Sequence, residues 1–375
     1  MSRTSTAKRM IDTTRKNRNR KFTPIGIVFA ILGLLLFVYF VRKAGVTEVV
    51  SGIRRLGFGF LLILLFGGIR QAAHALAWTK CFEPPYRLRF IDAFKARIMC
   101  DALGNILPLG TVVVSEPAKA VLVRDRVPLL AAVSALAIEN LFYALSVVVF
   151  IFSGAAALLL SFPLPKALRY VSIGALLTTV VFAAVGYLII RKQWKFLSGA
   201  LAFLRDRGIA HKWIEEALPR ARMLEERVYG FYERNRERFL MIFLLEMSFH
   251  AVGVAEGYVT LSFISDIAPT LLKAFILESV NRAITLVFKF VPLRTGVDEA
   301  GTGTLSKVLG FTTAVGVTLA IVRKARDITW TAIGVMFLVR RGLTPRTLAE
   351  ESEEAMAETE VTHEALAAAS MEESG

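Results

Sequence analysis

Six apolar runs punctuate the chain, at about 22–41, 58–79, 127–152, 168–190, 239–263 and 312–338. Each reaches roughly 20 residues, the length a helix rising 1.5 Å per residue needs to cross a hydrocarbon core about 30 Å thick. Helices are the expected form, because a backbone in lipid must satisfy its polar groups within the segment. Two further stretches, 86–126 and 266–311, are apolar in part but broken by Pro and Gly. The pattern predicts an all-α polytopic membrane protein.

Composition agrees with the pattern. Hydrophobic residues make up 55% of the 375, above the roughly 45–50% of soluble domains. Charge then orients the spans. Residues 1–21 carry eight basic residues and one acid, Asp12, and the stretch 191–238 carries twelve basic residues. Basic loops stay on the cytoplasmic side, so both of these are expected in the cytoplasm. Arg340 and Arg341 put the C-terminus there too, and the uncharged loop 153–165 falls outside. One loop resists this arrangement: 42–57 contains Arg42, Lys43, Arg54 and Arg55 yet must lie outside. The basic surplus, a net +15, is read as topology and attraction to anionic head groups, with no nucleic acid as partner.

With six spans placed, 86–126 begins and ends inside, and 266–311 begins and ends outside. Each is expected to be a re-entrant hairpin, and the two enter from opposite faces. Span, hairpin and span then occur at 58–152 and again, inverted, at 239–338. The hairpin tips are alike: Pro108-Leu109-Gly110-Thr111 precedes Glu116 by eight residues from its proline, and Pro292-Leu293-Arg294-Thr295 precedes Glu299 by seven. Inverted repeats with broken helices at matching positions are a transporter arrangement. The transmembrane domain is thus expected over 22–344, after a basic tail at 1–21 and before an acidic tail at 345–375. An amphipathic cytoplasmic linker at 191–238 joins the halves, with Trp194, Phe196, Leu197, Leu201 and Leu204 spaced along one face.

Polar residues inside the runs need a reason, since a charge at the bilayer centre costs about 2.5–3.5 kcal/mol on insertion scales. Arg70 and His74 share a helix face, as do Glu246 and His250. Glu139 and Asn140 lie at mid-depth, Glu256 sits among small residues, and the second hairpin adds Glu278, Asn281 and Arg282. The last run holds Arg323, Lys324, Arg326 and Asp327. Either these groups pair to fix helix register, or they handle a ligand. Three cations and one acid do not neutralise each other, so Arg323 and Arg326 require anions from Glu278, Glu299 or a ligand. The half-helices of the hairpins add N-terminal amide groups, which attract anions. Glycines near the tips, Gly110 and Gly296 among them, allow either a tight turn or a close approach to a ligand.

Several chemistries find no residues here. There is no G-x-x-x-x-G-K-[ST] loop for ATP, no H-E-x-x-H and no G-x-S-x-G. The two cysteines, Cys81 and Cys100, make neither a disulfide framework nor a usual zinc site. The expectation is a protein that is not an enzyme, with no cofactor, no metal and no catalytic residue.

At the hairpins a resemblance enters. Asn105-Ile106-Leu107-Pro108, Gly110, Glu116 and Lys119, followed by Glu139-Asn140, resemble the lysylphosphatidylglycerol synthase transmembrane region, also called the flippase-like domain. Pro292, Gly296, Glu299, Gly310 and Arg323 resemble its second signature. The likeness runs over roughly 25–340. Residues Val112 to Ser115 lengthen the first motif, Lys119 and Asn140 stand where arginine is usual, and Arg294 and Thr295 stand where glycines are common. The aminoacyl-transferase domain of bifunctional members is not expected here. The resemblance implies lipid movement rather than lipid synthesis.

Together these readings point to a flippase or translocase of the bacterial cytoplasmic membrane that works without ATP. Arg282, Arg294, Arg323 and Arg326 would meet the phosphate of a phospholipid or isoprenoid-type head group, since a guanidinium fork suits phosphate. Glu116, Glu139 and Glu299 would hold those cations when no lipid is present, or accept protons. The alternatives are a non-transporting partner of a lipid, hopanoid or envelope biosynthetic enzyme and, behind it, a membrane-embedded lipid transferase. Pro108 and Pro292 are expected close together at mid-membrane.

Overall fold

The structure is a computed structural model. It describes residues 39, 42, 46–106, 115–191, 196–207, 218, 222, 225–226, 229–231, 234–288, 291 and 294–342. The two charged tails, most of the first apolar run, and the tip residues Pro108, Gly110 and Pro292 lie outside the described residues.

All regular structure among the described residues is helical. In chain order the helices are α1 (Val46–Leu56), α2 (Gly59–Lys80), α3 (Phe90–Ile106), α4 (Ser115–Leu122), α5 (Leu129–Ser161) and α6 (Lys166–Arg191). Then come α7 (Phe196–Asp206), α8 (Arg236–Ile264), α9 (Leu271–Val287), α10 (Val297–Val308) and α11 (Thr313–Arg340). Four of them, α2, α5, α6 and α8, are long and apolar enough to cross a membrane. The sixth apolar run does form one helix, α11, of 28 residues. Its central charges set it apart from those four; Arg323 and Arg326 are buried, and Lys324 and Asp327 are partly buried. The loop expected at 153–165 is shorter than the sequence suggests. Gly154 to Ser161 continue α5, because an alanine- and leucine-rich stretch without charge has nothing to stop a helix until Pro163 and Pro165.

Local signals set several boundaries. Thr270 caps α9, its hydroxyl accepting from the Lys273 N–H at 3.3 Å, and Thr312 caps α11 by accepting from Val315 N–H at 3.2 Å. Gly296 precedes α10 with a φ of 84°, and the Glu299 carboxylate accepts its N–H at 2.7 Å. Arg294, just before it, has a φ of 47°, a left-handed conformation that costs a side-chain-bearing residue roughly 1–2 kcal/mol. This is one of the positions where glycine would be at ease.

The element order α2–α3–α4–α5 recurs as α8–α9–α10–α11. Both second members have 17 residues, and both third members are short, with 8 and 12 residues. Packing falls into two large apolar clusters. One gathers Trp78 at the end of α2, Met99 and Leu103 of α3, Val121 of α4, Phe142 of α5, Ile242 near the start of α8 and Leu338 near the end of α11. The other gathers Leu158 near the end of α5, Leu261 near the end of α8, Ile276 and Leu277 of α9, Leu305 of α10 and Leu319 near the start of α11. So α2 and α11 run one way while α5 and α8 run the other. The α3–α4 pair belongs to the first cluster and α9–α10 to the second. Helix α11 touches both pairs. A Cβ on Gly316 would stand 2.5 Å from Thr302 O of α10, and one on Gly334 would stand 2.6 Å from Ala102 Cβ of α3.

Candidate functional site

Between the two clusters the helices bring charge together. The first network centres on two glutamates. Glu278 of α9, 1% exposed, accepts from Arg323 Nη2 at 2.7 Å and from Arg70 Nη2 at 3.2 Å, with Arg282 Nη2 at 3.9 Å. Glu256 of α8 accepts from Arg70 Nη1 at 3.3 Å and also pairs with Arg326. Arg326 Nη2 donates in addition to Asp327 at 2.7 Å. Asp327 lies 3.7 Å from Arg294, which donates to Asp298 at 3.1 Å, and Lys324 pairs with Glu299. Arg70 and Arg282 lie over the ring of Phe249, at 4.3 and 4.8 Å from its centroid.

The helices can approach this closely because Gly253 faces the network. A Cβ there would stand 2.8 Å from Glu278 Oε1 and 3.2 Å from Arg70 Cζ. Among the described residues the network holds six cations (Arg70, Arg282, Arg294, Arg323, Lys324 and Arg326) against five carboxylates (Glu256, Glu278, Asp298, Glu299 and Asp327). The surplus has a place: Arg323 Nη1 and Arg282 Nε are buried and lack a hydrogen-bond partner among the described residues. An arginine with an unused N–H in a low-dielectric interior is a ready partner for an anionic oxygen.

The second network is built from α2, α3, α4 and α5 of the first half, with Glu246 added by α8. Arg97 of α3 donates to Glu139 Oε1 and to Gln71 Oε1, each at 3.1 Å, and Gln71 donates to Asp101 at 2.7 Å. Lys119, 2% exposed, donates to Glu116 at 2.7 Å, and Asn140 donates to the same carboxylate at 3.1 Å. His74 Nδ1 stands 2.7 Å from Glu246 and 3.4 Å from Glu139. His250, by contrast, pairs with Ser146 Oγ at 3.1 Å and stacks on Phe150.

The expected site residues therefore divide between the networks. Glu116, Lys119, Glu139 and Asn140 meet in the second, and Arg282, Arg294, Glu299, Arg323 and Arg326 in the first. Asn105 donates to Thr331 Oγ1 of α11 at 2.9 Å, and Gly296 serves as the turn before α10. Two expected pairings differ. Arg326 finds Glu256 rather than Glu278 or Glu299, because α8 packs alongside α2 and presents Glu256 to Arg326. Glu299 instead takes Lys324, one residue round the helix from Arg323. Nor do Glu116, Glu139 and Glu299 hold the four arginines; they hold Lys119, Arg97 and Lys324.

Arg97 escaped the sequence reading because it lies outside the six apolar runs. Its signal was an arginine four residues before Asp101 in an otherwise apolar stretch. A cavity of about 330 Å³ lies elsewhere, lined by Lys80, Tyr86, Arg87 and Arg238 with others, and it contains no member of either network.

No curated protein and no solved structure matches the chain. The family model of the lysylphosphatidylglycerol synthase TM region matches residues 25–334, which include both networks and the four bilayer-length apolar helices, and the chain is therefore a membrane protein of that family.

Proposed function

We propose that the chain moves a phosphate-bearing lipid across the bacterial cytoplasmic membrane, with the first network as the head-group station. The observation that carries this reading is Arg323, whose Nη1 is buried and without a hydrogen-bond partner among the described residues beside five further cations. A phosphate oxygen would take that N–H and balance the surplus charge. The family, named for a lipid synthase, supports a role in lipid handling.

The membrane arrangement belongs to the same proposal: six spans, both termini cytoplasmic, and α3–α4 and α9–α10 as opposed re-entrant hairpins in an inverted repeat. Helix length supports it. The arms α3 and α9 reach about 26 Å and α4 and α10 about 12 and 18 Å at 1.5 Å per residue, short of a core about 30 Å thick. Packing supports it too, since the two helix pairs join different apolar clusters and α2 runs opposite to its counterpart α8. Arg55 of α1, in the 42–57 segment whose charge argues against an outside location, pairs at 2.6 Å with Asp266 of the α8–α9 loop. No nucleotide motif is present, so movement is passive or driven by an ion gradient, and no chemical reaction is assigned. Purified protein in liposomes tests this: the parent moves fluorescent phosphatidylglycerol between leaflets, and Arg323→Ala does not.

A further inference from the structure

We infer that His74, Glu139 and Glu246 hold one divalent transition-metal ion of the zinc type, at a site separate from the head-group station. The three side chains come from α2, α5 and α8, and none is more than 2% exposed. Their candidate ligand atoms all lie within 4.8 Å of one another. Zinc bonds of about 2.0–2.2 Å to nitrogen and oxygen set tetrahedral ligand atoms about 3.3 Å apart. His74 Nδ1 is 3.4 Å from Glu139 Oε1 and 2.7 Å from Glu246 Oε2, distances that bracket that spacing.

The hydrogen-bond pattern points the same way. His74 Nδ1 and Glu246 Oε2 stand within hydrogen-bonding distance of each other, at 2.7 Å. Glu139 Oε2 and Glu246 Oε1 are buried and have no hydrogen-bond partner among the described residues. Buried polar atoms without partners are costly, and a cation shared by the two carboxylates would satisfy them. Phe249 and Tyr143 close the ring in, at 4.1 and 5.0 Å between centroids.

Charge gives the valence. Around the site, Asp101, Glu116, Glu139 and Glu246 face two cations, Arg97 and Lys119. With all four ionised, one divalent cation would offset the difference. Two carboxylates and one imidazole form a hard-to-borderline donor set that suits zinc. Because α2 and α5 belong to the first half and α8 to the second, the ion would tie the halves together.

The test uses the full chain purified in detergent and stripped with a chelator. Titration with Zn²⁺ should show one tight site per chain, and Co²⁺ in its place should give the intense visible bands of tetrahedral nitrogen and oxygen coordination. Zn²⁺ should raise the melting temperature of the parent. Glu246→Gln and His74→Gln should each weaken binding at least about tenfold and abolish the Co²⁺ bands, while eluting as the parent does. A stripped parent that binds no ion, or gives only the weak bands of octahedral aquo-cobalt, overturns the assignment. So do folded variants that bind Zn²⁺ as tightly as the parent. Should both variants misfold, the Co²⁺ spectrum of the parent decides alone. None of these readouts depends on lipid movement.

Discussion

Arg97 and Glu278 occupy the same place in two matching helices and carry opposite charges. Each is the eighth residue of a 17-residue helix, Phe90–Ile106 and Leu271–Val287. Each bonds the eleventh residue of the next long helix. Arg97 donates to Glu139 of Leu129–Ser161, and Glu278 accepts from Arg323 of Thr313–Arg340. The pair is kept and its polarity is reversed. The networks built around the two pairs have opposite balances: that of Arg97 and Glu139 is acidic, and that of Glu278 and Arg323 is basic by one charge because α2 lends it Arg70. In the proposed mechanism that asymmetry places the phosphate at the network of Glu278 and Arg323.

The pair Glu278–Arg323 makes an asymmetric prediction. Glu278→Gln leaves Arg70 and Arg323 buried without their main counter-charge, and breaking a buried pair in this way costs about 3–5 kcal/mol. Arg323→Ala leaves Glu278 still bonded to Arg70 and near Arg282, so it should cost far less. Melting curves in one detergent should rank Glu278→Gln well below Arg323→Ala, and the double variant should fall less than the sum of the two. Equal losses that simply add would show that the two side chains act independently.

Gly253 is predicted to be indispensable to the first network. Gly253→Ala brings a methyl to 2.8 Å from Glu278 Oε1, and such overpacking costs about 1–3 kcal/mol. Gly174, on the exposed side of α6, is the control. A Cβ there would meet nothing within 4 Å, so Gly174→Ala should be neutral or slightly stabilising. A melting temperature unchanged by Gly253→Ala would mean that α8 and α9 are not held as close as the geometry requires.

Topology is open to labelling, since the native Cys81 and Cys100 are both buried. Single cysteines replacing exposed Ser161 and Asp266 should react with an impermeant maleimide from outside the cell. One replacing exposed Asp125 should react only after the cytoplasmic face is opened. Ser198, in the amphipathic linker, is a poor reporter because it is 3% exposed and bonded to Glu225. Labelling of Ser161→Cys from the cytoplasm would remove the inverted repeat.

The sequence carried the helices and the charges but not their pairing. Apolar runs of about 20 residues are legible because the bilayer fixes their length, and α2, α5, α6 and α8 follow from them. The recurrence of Pro-Leu-x-Thr suggested two corresponding halves; its prolines lie outside the described residues, and what the described residues share is the order of a long, a 17-residue, a short and a long helix. That Arg326 meets Glu256 was not, because the two are 70 residues apart and only the packing of α8 joins them. The set of His74, Glu139 and Glu246 was hidden for the same reason. Its members lie on three helices at no motif spacing, and each alone reads as a buried polar residue fixing register. Arg97 was overlooked because its helix is too short to register as a span.

The most direct test of the central claim is lipid movement in reconstituted liposomes. Vesicles of phosphatidylcholine carrying a fluorescent phosphatidylglycerol are made with the parent, with Arg323→Ala, or without protein, and outer-leaflet label is quenched with dithionite. The parent should expose inner-leaflet label within minutes, and Arg323→Ala should match the protein-free vesicles while eluting and melting like a folded protein. If Arg323→Ala moves lipid at the parental rate, or the folded parent moves none, the head-group station proposed for the first network is contradicted.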